Sequence, residues 1–95
     1  MPDKSQESEW LVYILQCNDD SYYTGVTTDI ARRLDEHNKD DKKAAKYTRM
    51  RRPVSLVYKE RCHDRRAACK REYEIKQLTR LKKKQLIDSS ATSIL

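Results

Sequence analysis

The chain has 95 residues, 38% of them charged and 37% hydrophobic, with a mean hydropathy of −1.03. So little apolar material supports one compact domain with a thin core and leaves no room for a second. Twenty-one Lys and Arg against fifteen Asp and Glu give a formal charge of +6 and a pI near 9.3, which points to a polyanionic partner, while the absence of any apolar run of spanning length argues against a transmembrane helix.

Residues 1–9 are polar and acidic, carry no periodicity or signal pattern, and are expected to form a disordered arm on a soluble, cytoplasmic protein. Cys17, Cys62 and Cys69 are odd in number and lack a CxxC pair, so they read as reduced thiols. Cys62, His63 and Cys69 match no common zinc spacing.

Trp10-Leu11-Val12-Tyr13-Ile14-Leu15-Gln16-Cys17 is a nearly continuous apolar run, short and rich in aromatic and β-branched residues. It predicts a central strand buried on both faces. Turn chemistry in Asn18-Asp19-Asp20-Ser21 then predicts a hairpin back through Tyr22 to Thr27, which brings Tyr13 and Tyr23 close together. Gly25 is the only glycine in the chain. Its place at the end of a strand points to a close backbone approach or an unusual dihedral there.

Asp29, or Thr28 before it, offers a cap for a helix from Ile30 to Asn38. At 100° per residue, Ile30 and Leu34 define its apolar stripe, His37 falls between them, Arg33 lies on the flank, and Arg32 points away. Asn38 to Pro53 carries seven cations against two aspartates, so +5 of the net +6 lies there. Such a run is often a solvated loop, but with Tyr47 interleaved it reads as a nucleic-acid contact through Lys42, Lys43, Lys46, Arg49, Arg51 and Arg52, with Tyr47 able to stack on a base.

After Pro53, Val54 to Glu60 resumes period-two patterning, with Val54, Leu56 and Tyr58 expected on one face of a third strand. Asp64 caps a following helix in which Ala68 and Ile75 share a stripe. Glu72 lies about 40° from Ala68 on that side, whereas Glu74 points away. An inward carboxylate needs a partner, a proton or a metal. Thr79 separates this helix from a last one, Arg80 to Asp88, whose apolar positions are Leu81, Leu86 and Ile87; residues 89–95 read as a frayed tail.

Val12-Tyr13-Ile14, then Tyr23-Thr24-Gly25, Arg33 ten residues past Tyr23, and Glu72 in a helix after a third strand together resemble the GIY-YIG nuclease superfamily, and within it the small single-domain proteins. The resemblance covers roughly residues 10–87. It departs from the family pattern at Leu11, where the first motif has glycine, at Thr24, where the second has isoleucine, and at Val26, where some family nucleases place a lysine. The implied fold is of α+β type, a small three-stranded antiparallel sheet flanked by helices, forming one domain over 10–88.

The implied activity is metal-dependent hydrolysis of phosphodiester bonds by an endonuclease, acting on DNA in repair or recombination, with a protein partner supplying specificity. By the same resemblance the catalytic residues are Tyr13, Tyr23, Arg33, His37 and Glu72. Glu72 would hold one Mg2+ or Mn2+, Arg33 would clamp the phosphate, and one of the two tyrosines would be the general base. The competing readings are a nucleic-acid-binding module of the same fold with little or no cleavage, and a structural protein of a nucleoprotein particle.

Overall fold

A computed structural model describes residues 9–94, with side chains described as far as residue 90. The expected arm over residues 1–8, and Leu95, lie outside it. Among the described residues, three strands, β1 (Trp10–Gln16), β2 (Tyr22–Thr27) and β3 (Ser55–Cys62), and four helices, α1 (Ile30–Lys39), α2 (Lys46–Arg49), α3 (Arg65–Lys76) and α4 (Arg80–Ile94), make the fold. The sheet is antiparallel in the order β2-β1-β3, so the most apolar strand is central, as its unbroken hydrophobic run requires.

The hairpin between β1 and β2 closes without a glycine. Asp20 adopts φ 66°, a region in which Asp is among the better-tolerated residues, and Asp19 accepts hydrogen bonds from the Ser21 amide (3.1 Å) and hydroxyl (2.5 Å). Gly25 is thereby released from turn duty.

Alternation along β1 divides the core in two. Tyr13, Leu15 and Cys17 face one way, where Tyr23, Val54 and Leu56 join them and α1 covers them with Ile30 and Leu34. Val12 and Ile14 face the other way, packed with Tyr22, Val26, Val57 and Tyr58 under Ile75 of α3 and Leu86 and Ile87 of α4. The three longer helices, α1, α3 and α4, start as expected, whereas α2 lies within the expected basic loop and has no side-chain cap at Ala45. Asp29 accepts from the Arg32 amide (3.1 Å), Asp64 from the Ala67 amide (2.8 Å) and Thr79 from the Lys82 amide (3.2 Å), which satisfies one otherwise orphaned donor at each N-terminus.

Four details differ from the pattern read in the sequence. A register shift between Ile14 and Leu15 leaves Val57 as an extra residue in β3, because Ile14 pairs with Tyr58 and Leu15 with Leu56. The bulge turns Tyr58 onto the opposite face from Val54 and Leu56, so those three do not share a side. Leu81 is 65% exposed, since the sheet-facing stripe of α4 is set by Leu86 and Ile87. Backbone of α4 continues to Ile94, past the expected end at Asp88. Glu9, placed by the sequence in the arm, forms an ion pair with Arg61 at 3.3 Å.

Candidate active site

Tyr13 and Gly25 are directly paired across β1 and β2, and the Tyr13 ring lies over the glycine. A Cβ on residue 25 would stand 2.5 Å from the Tyr13 hydroxyl oxygen and 2.7 Å from Cζ. Gly25 has no positive φ, so of the two reasons for a glycine here the close approach is the operative one. The phenol reaches α1, where its hydroxyl is 2.8 Å from His37 Nε2. Both residues are fully buried, Tyr13 at 1% exposure and His37 at 0%.

His37 is fixed from its other side by Thr48 of α2, whose Oγ1 lies 2.7 Å from Nδ1. Tyr23 sets its ring edge-on to His37 at 5.2 Å and to Tyr13 at 6.4 Å with a 45° tilt. Tyr47 stacks on the outer side of Tyr23 at 6.1 Å and 26°, and the Arg51 guanidinium covers the Tyr47 ring at 3.8 Å. A ladder of rings thus runs from the buried imidazole to Tyr47, which is 37% exposed.

Arg33, on the flank of α1, donates through Nη1 to Glu36 (3.0 Å) and to the Lys43 carbonyl (2.7 Å), tying the basic segment to the helix. Arg32 is 60% exposed and its link to Glu36 spans 3.7 Å. The two adjacent arginines differ as the helical phase predicts.

Electrostatics within the cluster follow from burial. Desolvation pushes Tyr13 up from 10 to about 12, against hydrogen bonding and charge from Arg33, with Tyr23 and the Glu72 carboxylate adding to the rise. Desolvation lowers His37 from 6.5 to about 4, helped by the charges of Arg33 and Arg52 and opposed by Glu36. At neutral pH the pair is a neutral phenol beside a neutral imidazole. Burial works against the Arg33 charge, yet Glu36, Tyr13 and Tyr23 together raise its pKa.

Glu72 stands on α3 between the fully buried Ala68 and Ile75. Its side chain is 23% exposed, against 49% for Glu74, and it pairs with Lys76 at 3.2 Å. The compensating charge is therefore Lys76. Among the described residues no three His, Cys, Asp or Glu side chains converge to cage a metal. Such a donor set, one half-buried carboxylate open to water, fits a hard cation that keeps most of its hydration shell and does not fit zinc.

The basic segment is less uniform than its sequence. Lys42, Lys43 and Lys46 are exposed, and among the described residues none of them has an ion pair. The three arginines are turned to their own chain. Arg49 donates to the Asp41 carbonyl (3.0 Å) and Arg51 pairs with Asp19 (3.0 Å). Arg52 donates through Nε to the His37 carbonyl (2.7 Å) and through Nη1 to Asp41 (2.8 Å). Arg52 therefore caps the C-terminal end of α1, a structural contact beside the phosphate contact expected of it. Asn38 adds a two-way clamp, accepting from the Val54 amide (2.8 Å) and donating to the Val54 carbonyl (2.9 Å). Thr48 and Asn38 were not singled out from the sequence. The available signal for Thr48 is its place between Tyr47 and Arg49, both expected nucleic-acid contacts.

Residues 9–85 match the family described as the GIY-YIG catalytic domain. A UPF0213 protein of Desulfotalea psychrophila is 58% identical over 81 residues, covering 85% of this chain and 73% of that protein. One from Haloquadratum walsbyi is 54% identical over 77 residues, covering 81% and 84%. Among solved structures, the solution structure of the protein EF2693 from E. faecalis aligns with a TM-score of 0.61 at 41% identity over 88% of each chain. That of a UPF0213 protein from Bacillus halodurans aligns at 0.54 and 46% identity, over 84% and 83%. With the family pattern spanning the whole sheet and the helices that carry Arg33, His37 and Glu72, the chain belongs to the GIY-YIG nuclease superfamily, among its small single-domain proteins.

Proposed function

We propose that the protein is a metal-dependent endonuclease that hydrolyses phosphodiester bonds in DNA, in the course of repair or recombination. The observation that carries this reading is the buried hydrogen bond between Tyr13 and His37, set over Gly25 and flanked by Arg33. Cleaving a phosphodiester requires removal of a proton from water, stabilisation of charge on the phosphoryl oxygens, and relief of charge on the leaving oxygen. Each has a residue.

Tyr13 is the base preferred over Tyr23, because its hydroxyl has an immediate acceptor in His37 Nε2. Water loses a proton to the Tyr13 oxygen as Tyr13 passes its own proton to Nε2. The hydroxide oxygen bonds to phosphorus, the P–O bond to the leaving oxygen breaks, and His37 ends as an imidazolium. In the substrate-free site the phenol is pushed up to about 12 and the imidazole down to about 4, so the phenol rests protonated and the imidazole neutral. A phosphate brought in on Arg33 offsets the positive charge that works against an imidazolium at His37. Arg33 clamps the phosphate by exchanging its contact with Glu36 or the Lys43 carbonyl. Glu72 is the residue that would hold a Mg2+ or Mn2+ ion, which supplies charge neutralisation at the leaving oxygen.

Lys42, Lys43 and Lys46 neutralise phosphates to either side, and Tyr47 stacks on a base where the Arg51 guanidinium moves off its ring. A small protein with one binding face gains specificity from substrate shape or from a protein partner. Purified protein incubated with single-stranded, duplex, flap and branched DNA and RNA, with Mg2+, Mn2+ or EDTA, tests the reading. Metal-dependent nicking that is lost in Tyr13→Phe supports it. Tight binding with no cleavage under any metal would establish the binding module instead.

A further inference from the structure

We propose that Thr48 is a positioning residue that holds His37 in its Nδ1–H tautomer, leaving Nε2 bare to accept the Tyr13 hydroxyl proton. The functional part of this inference rests on the nuclease reading above; the tautomer itself does not.

The assignment follows from counting protons. A threonine hydroxyl has one proton and two lone pairs, a carbonyl only accepts, and a neutral imidazole carries one N–H. Thr48 Oγ1 lies 3.0 Å from the Ala45 carbonyl oxygen, the backward helix contact typical of threonine, so its proton points there. His37 Nδ1, 2.7 Å from the same oxygen, then has to be the donor. Nε2 carries no proton, and the Tyr13 hydroxyl at 2.8 Å donates into it. Protons along this line all point from Tyr13 toward Ala45.

The opposite tautomer would present Nε2–H to Tyr13 and a bare Nδ1 to Thr48. Thr48 would have to turn its proton away from Ala45, whose carbonyl would keep only the Arg49 amide at 2.9 Å. One buried hydrogen bond separates the two arrangements, which biases the tautomer roughly tenfold. The consequence for chemistry is larger than the bias. With Nε2 protonated, His37 has no lone pair facing Tyr13, and the phenol has nowhere to send its proton.

On balance the charges facing the imidazole favour a neutral ring. Arg33 on α1 and Arg52 beside the end of α1 repel a proton, Glu36 alone attracts one, and Tyr13, Tyr23 and Thr48 are uncharged neighbours. The lock is also coupled to substrate contact by position. Within the four residues of α2, Tyr47 faces the outer side of Tyr23 and Thr48 faces the imidazole.

The test compares wild type, Thr48→Ser and Thr48→Val as full-length 15N-labelled protein at pH 7, reading the His37 tautomer from couplings between its ring protons and nitrogens. Wild type and Thr48→Ser are expected to show Nδ1 protonated and Nε2 bare; Thr48→Val should shift the population toward Nε2–H. In cleavage assays Thr48→Val should lose tenfold or more in kcat with nucleic-acid Kd within twofold, and Thr48→Ser should stay within threefold of wild type. An Nε2–H signal in wild type, an unshifted tautomer in Thr48→Val, or undiminished kcat in Thr48→Val would overturn the proposal. If Thr48→Val does not fold, the wild-type and serine spectra decide. If wild type cleaves no substrate, the nuclease reading fails, and the spectra separately decide the tautomer lock.

Discussion

The Tyr13 phenol lies flat against the backbone of Gly25, its partner across β1 and β2, so closely that a single methyl group on residue 25 would stand 2.5 Å from the hydroxyl oxygen. The Tyr13 ring is enclosed by core and cannot swing clear. Gly25→Ala is therefore expected to push the hydroxyl off His37. The expected cost is about 1–3 kcal/mol of stability, as for other overpacked cores, with a loss of cleavage well over tenfold. Denaturant melts and nicking rates measured together check this; an alanine variant with wild-type turnover would show that the contact does not position the base.

Arg33→Ala should cut turnover by more than tenfold, and Arg32→Ala should change it by less than twofold. Arg33 sits beside Tyr13 and holds the Lys43 carbonyl, whereas Arg32 is mostly in solvent and forms a long link to Glu36. Exposed pairs of that kind contribute about 0–1 kcal/mol. Steady-state cleavage by the two single variants is the measurement, and equal losses would refute the division of roles.

His37 also sets a pH dependence of stability. Its pKa is about 4 in the fold and 6.5 unfolded, so the unfolded chain binds the proton between those values and the folded chain does not. The stabilisation is complete above pH 6.5 and is lost as pH falls toward about 4, by about 3 kcal/mol in total. Urea unfolding of wild type against His37→Gln between pH 7 and pH 4 reads the difference in slope. Parallel curves for the two proteins would mean that His37 is protonated inside the fold.

Glu72→Gln is expected to abolish metal-dependent cleavage while leaving metal-free nucleic-acid affinity within a few-fold. Its ion pair with Lys76 is an i,i+4 contact at a half-open surface, so stability should move by less than about 0.5 kcal/mol. Glu74→Gln, which loosens only the contact with Arg71 at 3.3 Å, should match wild type in cleavage and in affinity. Cleavage that survives in rigorously purified Glu72→Gln would remove Glu72 as the metal ligand. Marked unfolding of that variant would make it a structural residue.

Replacing Lys42, Lys43 and Lys46 together with alanine should weaken binding across sequences and reduce the salt slope by about 2–3, as expected if each lysine releases about one counterion. The fold should survive, because none of the three holds another element. Arg52→Ala should behave differently and lower stability, since it removes the cap on the His37 carbonyl and the pair with Asp41. Fluorescence anisotropy over a salt series, paired with thermal melts, separates phosphate contact from structural anchoring.

Much of this architecture is written in local pattern. The unbroken apolar run in β1, the turn residues before β2, and Asp29, Asp64 and Thr79 ahead of their helices each act within a few residues, and each appears in the fold where the pattern places it. Helical phase alone separates Arg33 from Arg32 and Glu72 from Glu74, because the 3.6-residue period is a property of the backbone. The lone glycine marks a close approach, although nothing in the sequence says which side chain approaches.

Relations across elements required the folded chain. The bulge that turns Tyr58 to the other face depends on the register between β1 and β3, which no alternation within one strand encodes. The arginines of the basic segment look equivalent in sequence, but Arg51 and Arg52 meet Asp19 and the His37 carbonyl because α1 ends beside the β1–β2 turn. Thr48 is an unremarkable polar residue until packing of α2 against α1 excludes water from its hydroxyl and leaves it only His37 and Ala45 as partners. Sequence determined which groups could do chemistry, through local period and charge. Only the tertiary structure decided which of them are desolvated together, and desolvation is what sets their proton positions and their pKa values.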